Sequence, residues 1–190
     1  LKSQDEIDFM ALAKKYSDDF ATKDVGGSIG FITRDSVYGE LWNFADAQGP
    51  GKIGLDPVET REGSNIVRVN SAEDRGIEVH AQHILICFRG AEQCDKDTSK
   101  GDARAKIEEL KKIATEDNFE KLARENSTEP GASERSGDLG FFPKGGMVKP
   151  FEDAVFALAN GTISDPVETQ FGFHLIRRIA ERPVKAYDVA

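Results

Sequence analysis

The pentapeptide Asp-Pro-Val-Glu-Thr occurs twice in this chain, at Asp56–Thr60 and at Asp165–Thr169. Such a repeat constrains the fold before any element is assigned, because one local architecture must satisfy both copies. Sliding the chain by 110 residues lays Phe9, Leu12 and Ala13 on Phe119, Leu122 and Ala123, and Ser17 on Ser127. Gly27, Gly30 and Phe31 fall on Gly137, Gly140 and Phe141. One extra residue in the first copy, between Ile32 and Trp42, shifts the register to 109. Ala45, Gly63 and Arg68 then fall on Ala154, Gly172 and Arg177. A register kept on both sides of the pentapeptide marks a duplication.

The second copy carries the clearer pattern. Val79–Phe88 is apolar and β-favouring and reads as a strand. After a polar loop, Ile107, Leu110 and Ile113 or Ala114 mark a helix from Asp102 with one buried face. Thr115–Asn118 breaks it, and Phe119, Leu122, Ala123 and Asn126 begin a shorter helix. Glu129–Ser136 reads as an irregular loop and Leu139–Phe142 as a short strand. Pro150 opens a further helix, which Asn160-Gly161 ends. Asp165–Thr169 and Phe173–Ile179 form a closing hairpin. Strand, helices, strand, helix, strand, strand is an α+β order with an antiparallel sheet.

Composition removes several classes. Acidic side chains outnumber basic ones in both parts, 14 to 9 up to Gly76 and 20 to 16 beyond it. A nucleic-acid binder that tracks phosphates needs the opposite balance. No apolar run reaches the roughly 18 residues of a membrane helix. The chain begins with Leu1 and has no basic-then-apolar leader, so a mature or excised piece of a longer protein is expected. Cys87 and Cys94 form no Cys-x-x-Cys pair, and with His80, His83 and His174 they make no zinc signature. Cys87 reads as a small buried hydrophobe; its seven-residue separation from Cys94 leaves a disulfide undecided.

Three motifs, in order and at consistent spacing, resemble the parvulin-type peptidyl-prolyl cis/trans isomerases. They are Val79-His80-Ala81-Gln82-His83-Ile84-Leu85-Ile86; Gly137-Asp138-Leu139-Gly140-Phe141-Phe142 with Gly146-Met147-Val148-Lys149-Pro150-Phe151; and Thr169-Gln170-Phe171-Gly172-Phe173-His174-Leu175-Ile176. The resemblance implies a four-stranded antiparallel sheet with surrounding helices in residues 77–182, preceded by a truncated second copy in 1–76 and followed by a tail, 183–190. It implies paired histidines, His83 and His174, at the floor of a site, with Thr169 bonded near them. Leu139, Met147 and Phe151 would form an apolar cup for a proline ring, with Phe171 on the hairpin beside it. Where relatives carry Cys or Asp, Glu129 is the nearest match, followed by Pro130. No metal or cofactor is implied, and the partners would be proline-containing polypeptides. His80, an odd number of residues from His83, faces the other side of the strand and is read as structural. Arg89, Lys96 and Lys100 could form a phosphate clamp, but the acidic residues among them favour a solvated loop.

The first copy lacks counterparts of the opening strand and most of the long helix. Asn65 stands for His174, Glu62 for Phe171, Ser64 for Phe173, and Val37 or Tyr38 for Met147, so this copy is not expected to isomerise proline. The arrangement resembles extracytoplasmic bacterial foldases with one inactive copy; a non-catalytic chaperone module binding extended apolar peptides is the alternative. In parvulins the first strand lies between the second and fourth, so residues 1–76 carry an empty central slot near Ser28–Ile32 and Asn65–Val69. Either another segment fills it, with the tail Val184–Val189 a candidate within one molecule or by exchange that would give a homodimer, or this half is rearranged or frayed.

Overall fold

The computed structural model describes residues 8–190; the first seven residues of the 1–76 copy lie outside the described residues. The chain divides into two compact units, residues 1–76 with 183–190 and residues 77–182.

In the first unit, α1 (Phe9–Tyr16) is capped at its start by the Asp8 carboxylate, which accepts from Ala11 N–H at 3.0 Å. A 3₁₀ turn (Lys23–Val25) leads to β1 (Gly30–Thr33), α2 (Gly39–Gln48), β2 (Lys52–Ile53) and the hairpin β3 (Val58–Thr60) and β4 (Gly63–Asn65). β5 (Arg68–Ile86) begins in this unit and passes into the second after Gly76. The second unit continues with α3 (Lys100–Ile113), α4 (Phe119–Asn126), α5 (Ala132–Arg135), β6 (Asp138–Pro143), α6 (Lys149–Ala157), β7 (Val167–Thr169) and β8 (Gly172–Val189). β8 re-enters the first unit at Pro183.

The repeat governs the elements closely. α1 and α4 have the same bounds 110 residues apart, and β3 and β7 the same bounds 109 apart. Hairpin register is copied too: Val58 pairs Asn65 and Thr60 pairs Gly63, as Val167 pairs His174 and Thr169 pairs Gly172.

Residues 183–190, read in the sequence as a separate tail, belong to the first unit. Gly30 pairs with Val189, Ile32 with Tyr187 and Thr33 with Ala186, antiparallel. On the other side Arg68 and Ala190 exchange both backbone hydrogen bonds, at 2.7 and 3.0 Å. The first unit therefore has strand order β1–β8–β5–β2, and the second β6–β5–β8–β7. The physical cause is the empty slot: two facing rows of N–H and C=O groups are costly when buried, and a strand from the same chain satisfies both. Strand exchange between molecules would need this slot, which the chain's own segment occupies. Val189 and Tyr187 pack with Ile32, Leu41, Trp42, Ala45, Val67 and Val69 as the unit's core. Trp42 Nε1–H donates to the Lys185 carbonyl at 3.0 Å, and the Tyr187 hydroxyl donates to Asp46 at 2.7 Å.

The second unit has two apolar clusters. Ile84, Ile86, Ala103, Ile107, Leu110, Phe119, Leu122, Ala123, Phe173 and Leu175 join the sheet to α3 and α4. Val79, Ala81, Phe142, Phe151, Val155 and Ile176 join it to α6. Two stretches differ from the pattern in the sequence. The loop from Glu129 contains the single turn α5, entered at Gly131 and left at Ser136 with φ +55°. α6 ends at Ala157 rather than at Asn160-Gly161, because Arg178 Nη1 donates to the Phe156 and Leu158 carbonyls and replaces the next helical turn.

Candidate active site

Two glycines let the histidine-bearing strands come close. His83, on β5, donates its backbone N–H to the Gly137 carbonyl at 2.9 Å. A Cβ at Gly137, where φ is +71°, would overlap the His83 carbonyl oxygen. His174 lies two residues after Gly172, where φ is +140° and a Cβ would sit 2.6 Å from the Ile86 oxygen. Only a residue without a side chain fits either position.

The polar groups form one line. Glu129 Oε2 lies 2.9 Å from His83 Nε2, His83 Nδ1 lies 3.1 Å from His174 Nδ1, and His174 Nε2 lies 2.8 Å from Thr169 Oγ1. Thr169 Oγ1 also accepts the Phe171 N–H at 3.1 Å. The donor inventory assigns the protons. A carboxylate only accepts, so His83 Nε2–H donates to Glu129. One proton lies between His83 Nδ1 and His174 Nδ1, and one between His174 Nε2 and the Thr169 hydroxyl. Every member is satisfied, as a buried network requires. Both imidazoles are buried, and they stack with centroids 5.4 Å apart. Burial, with His83 alongside, pushes His174 down to about 3, which keeps it neutral. The hydrogen bond from His83 holds Glu129 below the usual carboxylate range.

Above this line opens a cleft of about 290 Å³. Leu139 comes from β6, Met147 and Val148 from the turn before α6, and Phe151 from α6 itself. Phe171 comes from the closing hairpin, and Thr128, Glu129 and Pro130 from the loop before α5. His83, Leu85, Cys87, Glu92, Gln93, Gly146 and His174 complete the wall. Phe151 meets both imidazoles edge-on, at 5.6 and 5.3 Å between centroids. The structure thus brings His83, His174, Glu129, Leu139, Met147, Phe151 and Phe171 to one cleft. Thr169 lies behind His174 and off the wall. Phe173 is buried in the α3–α4 cluster. His80 points elsewhere, bonding Asp138 at 2.7 Å and lying 5.1 Å from the Phe141 ring. Among the described residues no cluster of three or more His, Cys, Asp or Glu is placed to hold a metal ion.

The family model described as "PPIC-type PPIASE domain" matches residues 65–182, more than half the chain, and a second model of that description matches residues 2–71. The chain belongs to the PPIC-type PPIase, or parvulin, family. It is 33% identical over 176 residues to the Chaperone SurA of Methylococcus capsulatus, covering 90% of this chain and 37% of the relative. It is 30% identical over 196 residues to the Foldase protein PrsA of Geobacillus kaustophilus, covering 97% and 63%. The chain therefore spans less than two thirds of either relative. Among solved structures, the peptidyl-prolyl isomerase Ess1 of Candida albicans is 28% identical with a TM-score of 0.50, over 54% of this chain and 63% of its own.

One wall of this parvulin cleft went unread in the sequence. Cys87 is buried, as a small hydrophobe would be, but it is disulfide-bonded to Cys94, with Cα atoms 5.7 Å apart. The disulfide that the spacing left undecided is formed, and Cys87 is buried as expected. The bond closes the loop that brings Glu92 and Gln93 to the wall. The available signal was two cysteines bracketing the loop after the His83 strand.

Proposed function

We propose that residues 77–182 catalyse cis/trans isomerisation of X–Pro bonds in unfolded or extended polypeptides, without a covalent intermediate. The observation that supports this best is the pairing of an apolar cleft with a fully satisfied polar floor. The isomers differ by only about 0.5–1 kcal/mol, but the resonance barrier between them is about 18–20 kcal/mol. Resonance is lost in the twisted transition state, which is less dipolar than the planar amide. A water-poor cup of Leu139, Met147, Phe151 and Phe171 holds the prolyl ring and favours the twisted form over the planar one, which is differential binding. The Glu129–His83–His174–Thr169 line, bonded end to end, fixes the floor and orients the cup; none of its members attacks the substrate. Ala-Pro peptide exchange measured by NMR with and without the chain tests the proposal. Equal exchange in both samples overturns it.

The first unit, with Asn65 in place of His174 and Glu62 in place of Phe171, acts as scaffold or peptide holder. Phe20, Val37 and Leu55 are 92%, 89% and 73% exposed there and are the apolar side chains that the holder role would use. If variants Phe20→Ser and Val37→Ser suppress client aggregation as well as the parent does, that role is lost. We place the protein outside the cytoplasm, in the periplasm or cell envelope, as part of a folding factor. The Cys87–Cys94 disulfide belongs to an oxidising compartment. No helix among the described residues is long and apolar enough to cross a membrane.

A further inference from the structure

The loop between β5 and α3 contributes Cys87, Glu92 and Gln93 to the cleft. It is tied at three points. The disulfide joins Cys87 to Cys94, Glu92 N–H donates to the Gln170 carbonyl at 2.8 Å, and Arg89 N–H donates to the Thr98 carbonyl at 2.8 Å. Gln93, between two of these ties, has φ +58°, a conformation that a residue with a side chain keeps only when its surroundings enforce it. The loop is therefore held in one shape at the cleft wall.

Its charges are sorted. Arg89 pairs with Asp97 at 2.6 Å, Lys96 with Asp95 at 3.2 Å and Lys100 with Glu168 at 2.6 Å. These are the three cations that a phosphate clamp would have required, and each already has an acid. In the cleft, Glu129 accepts from His83 and lies 3.5 Å from Arg135. The Glu92 carboxylate makes no hydrogen bond or ion pair among the described residues, and the wall contains no lysine or arginine. An unengaged carboxylate thus borders the space where the residues flanking a bound proline must run, since adjacent Cα atoms are only about 3.8 Å apart.

Building on the isomerase reading, we infer that Glu92 is a specificity-determining residue that selects Lys or Arg next to the proline and disfavours acidic or phosphorylated neighbours. The disulfide serves this selection by holding Glu92 at the wall. An ammonium or guanidinium group there completes an ion pair at the edge of the cleft, whereas a carboxylate or phosphate meets Glu92 where the nearby cations, Arg89, Lys96, Lys100 and Arg135, already have acidic partners.

The test uses the whole chain and two peptide pairs: Ala-Lys-Pro-Ala with Ala-Glu-Pro-Ala, and Ala-Pro-Lys-Ala with Ala-Pro-Glu-Ala. NMR gives both the exchange rate and the dissociation constant for each peptide. At low salt one Lys peptide is favoured over its Glu partner roughly three- to ten-fold, and added salt narrows the gap. E92Q brings the ratio toward one, E92K inverts it, and the double variant C87S/C94S reduces it by freeing the loop. A ratio near one at both positions in the parent chain, or one unchanged by E92Q, overturns the inference. Absence of exchange on every peptide would instead sink the isomerase reading, and the ratio of dissociation constants would still decide the role of Glu92.

Discussion

Thr60 and Thr169 occupy the same place in the two units, and what each bonds to separates scaffold from site. Thr60 Oγ1 accepts from Glu62 N–H at 3.2 Å and from Asn65 Nδ2 at 3.1 Å. Thr169 Oγ1 accepts from Phe171 N–H at 3.1 Å and lies 2.8 Å from His174 Nε2. The hairpin lock is the same. Asn65, however, turns back on its own hairpin, donating to the Gly63 and Val58 carbonyls. His174 passes the line on to His83 and Glu129. The same hairpin turn thus stands with the network in one unit and without it in the other, so the fold and the chemistry are separable in this architecture.

The largest effect that sharpens the comparison comes from deleting residues 183–190. The first unit loses its central strand and, with it, its whole stability, on the order of 5 kcal/mol or more. Residues 77–182 retain their own sheet. Amide exchange checks this: protection across Gly30–Thr33 and Val67–Val69 disappears while that of Ile84 and Leu175 remains. Undiminished protection in the first unit would mean that its sheet does not depend on β8.

Next is His174→Asn, which installs the first unit's residue in the second. The imidazole line ends at His83, and misplacement of the floor lowers kcat/KM by up to about 10²-fold. The overall fold is kept, as the native Asn65 hairpin shows that Asn is compatible with this turn. Unchanged kcat/KM would leave the imidazole line without a role in turnover.

The third effect is pH dependence. His174 is held down to about 3 in the folded chain against 6.5 when unfolded. Below pH 6.5 the unfolded chain therefore takes up a proton that the folded chain refuses. Stability of the second unit falls as pH drops from 6.5 toward 3, with a slope on the order of 1 kcal/mol per pH unit. Glu129, lowered when folded, adds a loss in the same direction as pH falls through its folded value. Denaturant melts between pH 7 and 4 should show this slope, and His174→Asn should flatten it. The first unit, with Asn65 at that position, has no such contribution.

The smallest is Tyr187→Phe, which removes the hydroxyl bond to Asp46 and costs the first unit about 1 kcal/mol. Burial and Asp46 raise this tyrosine to about 12, so ultraviolet titration of the parent chain should show one late-ionising phenol that the variant lacks.

Local periodicity and the repeat made much of this legible. The bounds of α4 follow from Phe119, Leu122 and Ala123 after the Thr115–Asn118 break, and the apolar cup follows from motif positions that carry their own turn signals. The empty slot could be deduced because unpaired backbone groups must be satisfied somewhere. The features missed were set by partners distant in sequence. Arg178 stops α6 from 20 residues away. The Cys87–Cys94 bond depends on a loop conformation that a separation of seven residues does not specify. Glu92 matters because its neighbours are paired, and pairing is a property of the folded loop.

The most direct test of the account is cis/trans exchange on an Ala-Pro peptide, measured by NMR on the whole chain and on its Met147→Ala variant. Uncatalysed exchange takes tens to hundreds of seconds. The account predicts exchange on the sub-second scale with the parent chain. In the variant, where the cup is opened and the imidazole line left intact, most of that acceleration should be lost. Exchange equally fast in both would show that the Met147 cup is not where proline turns, and exchange no faster than in buffer would contradict the isomerase assignment outright.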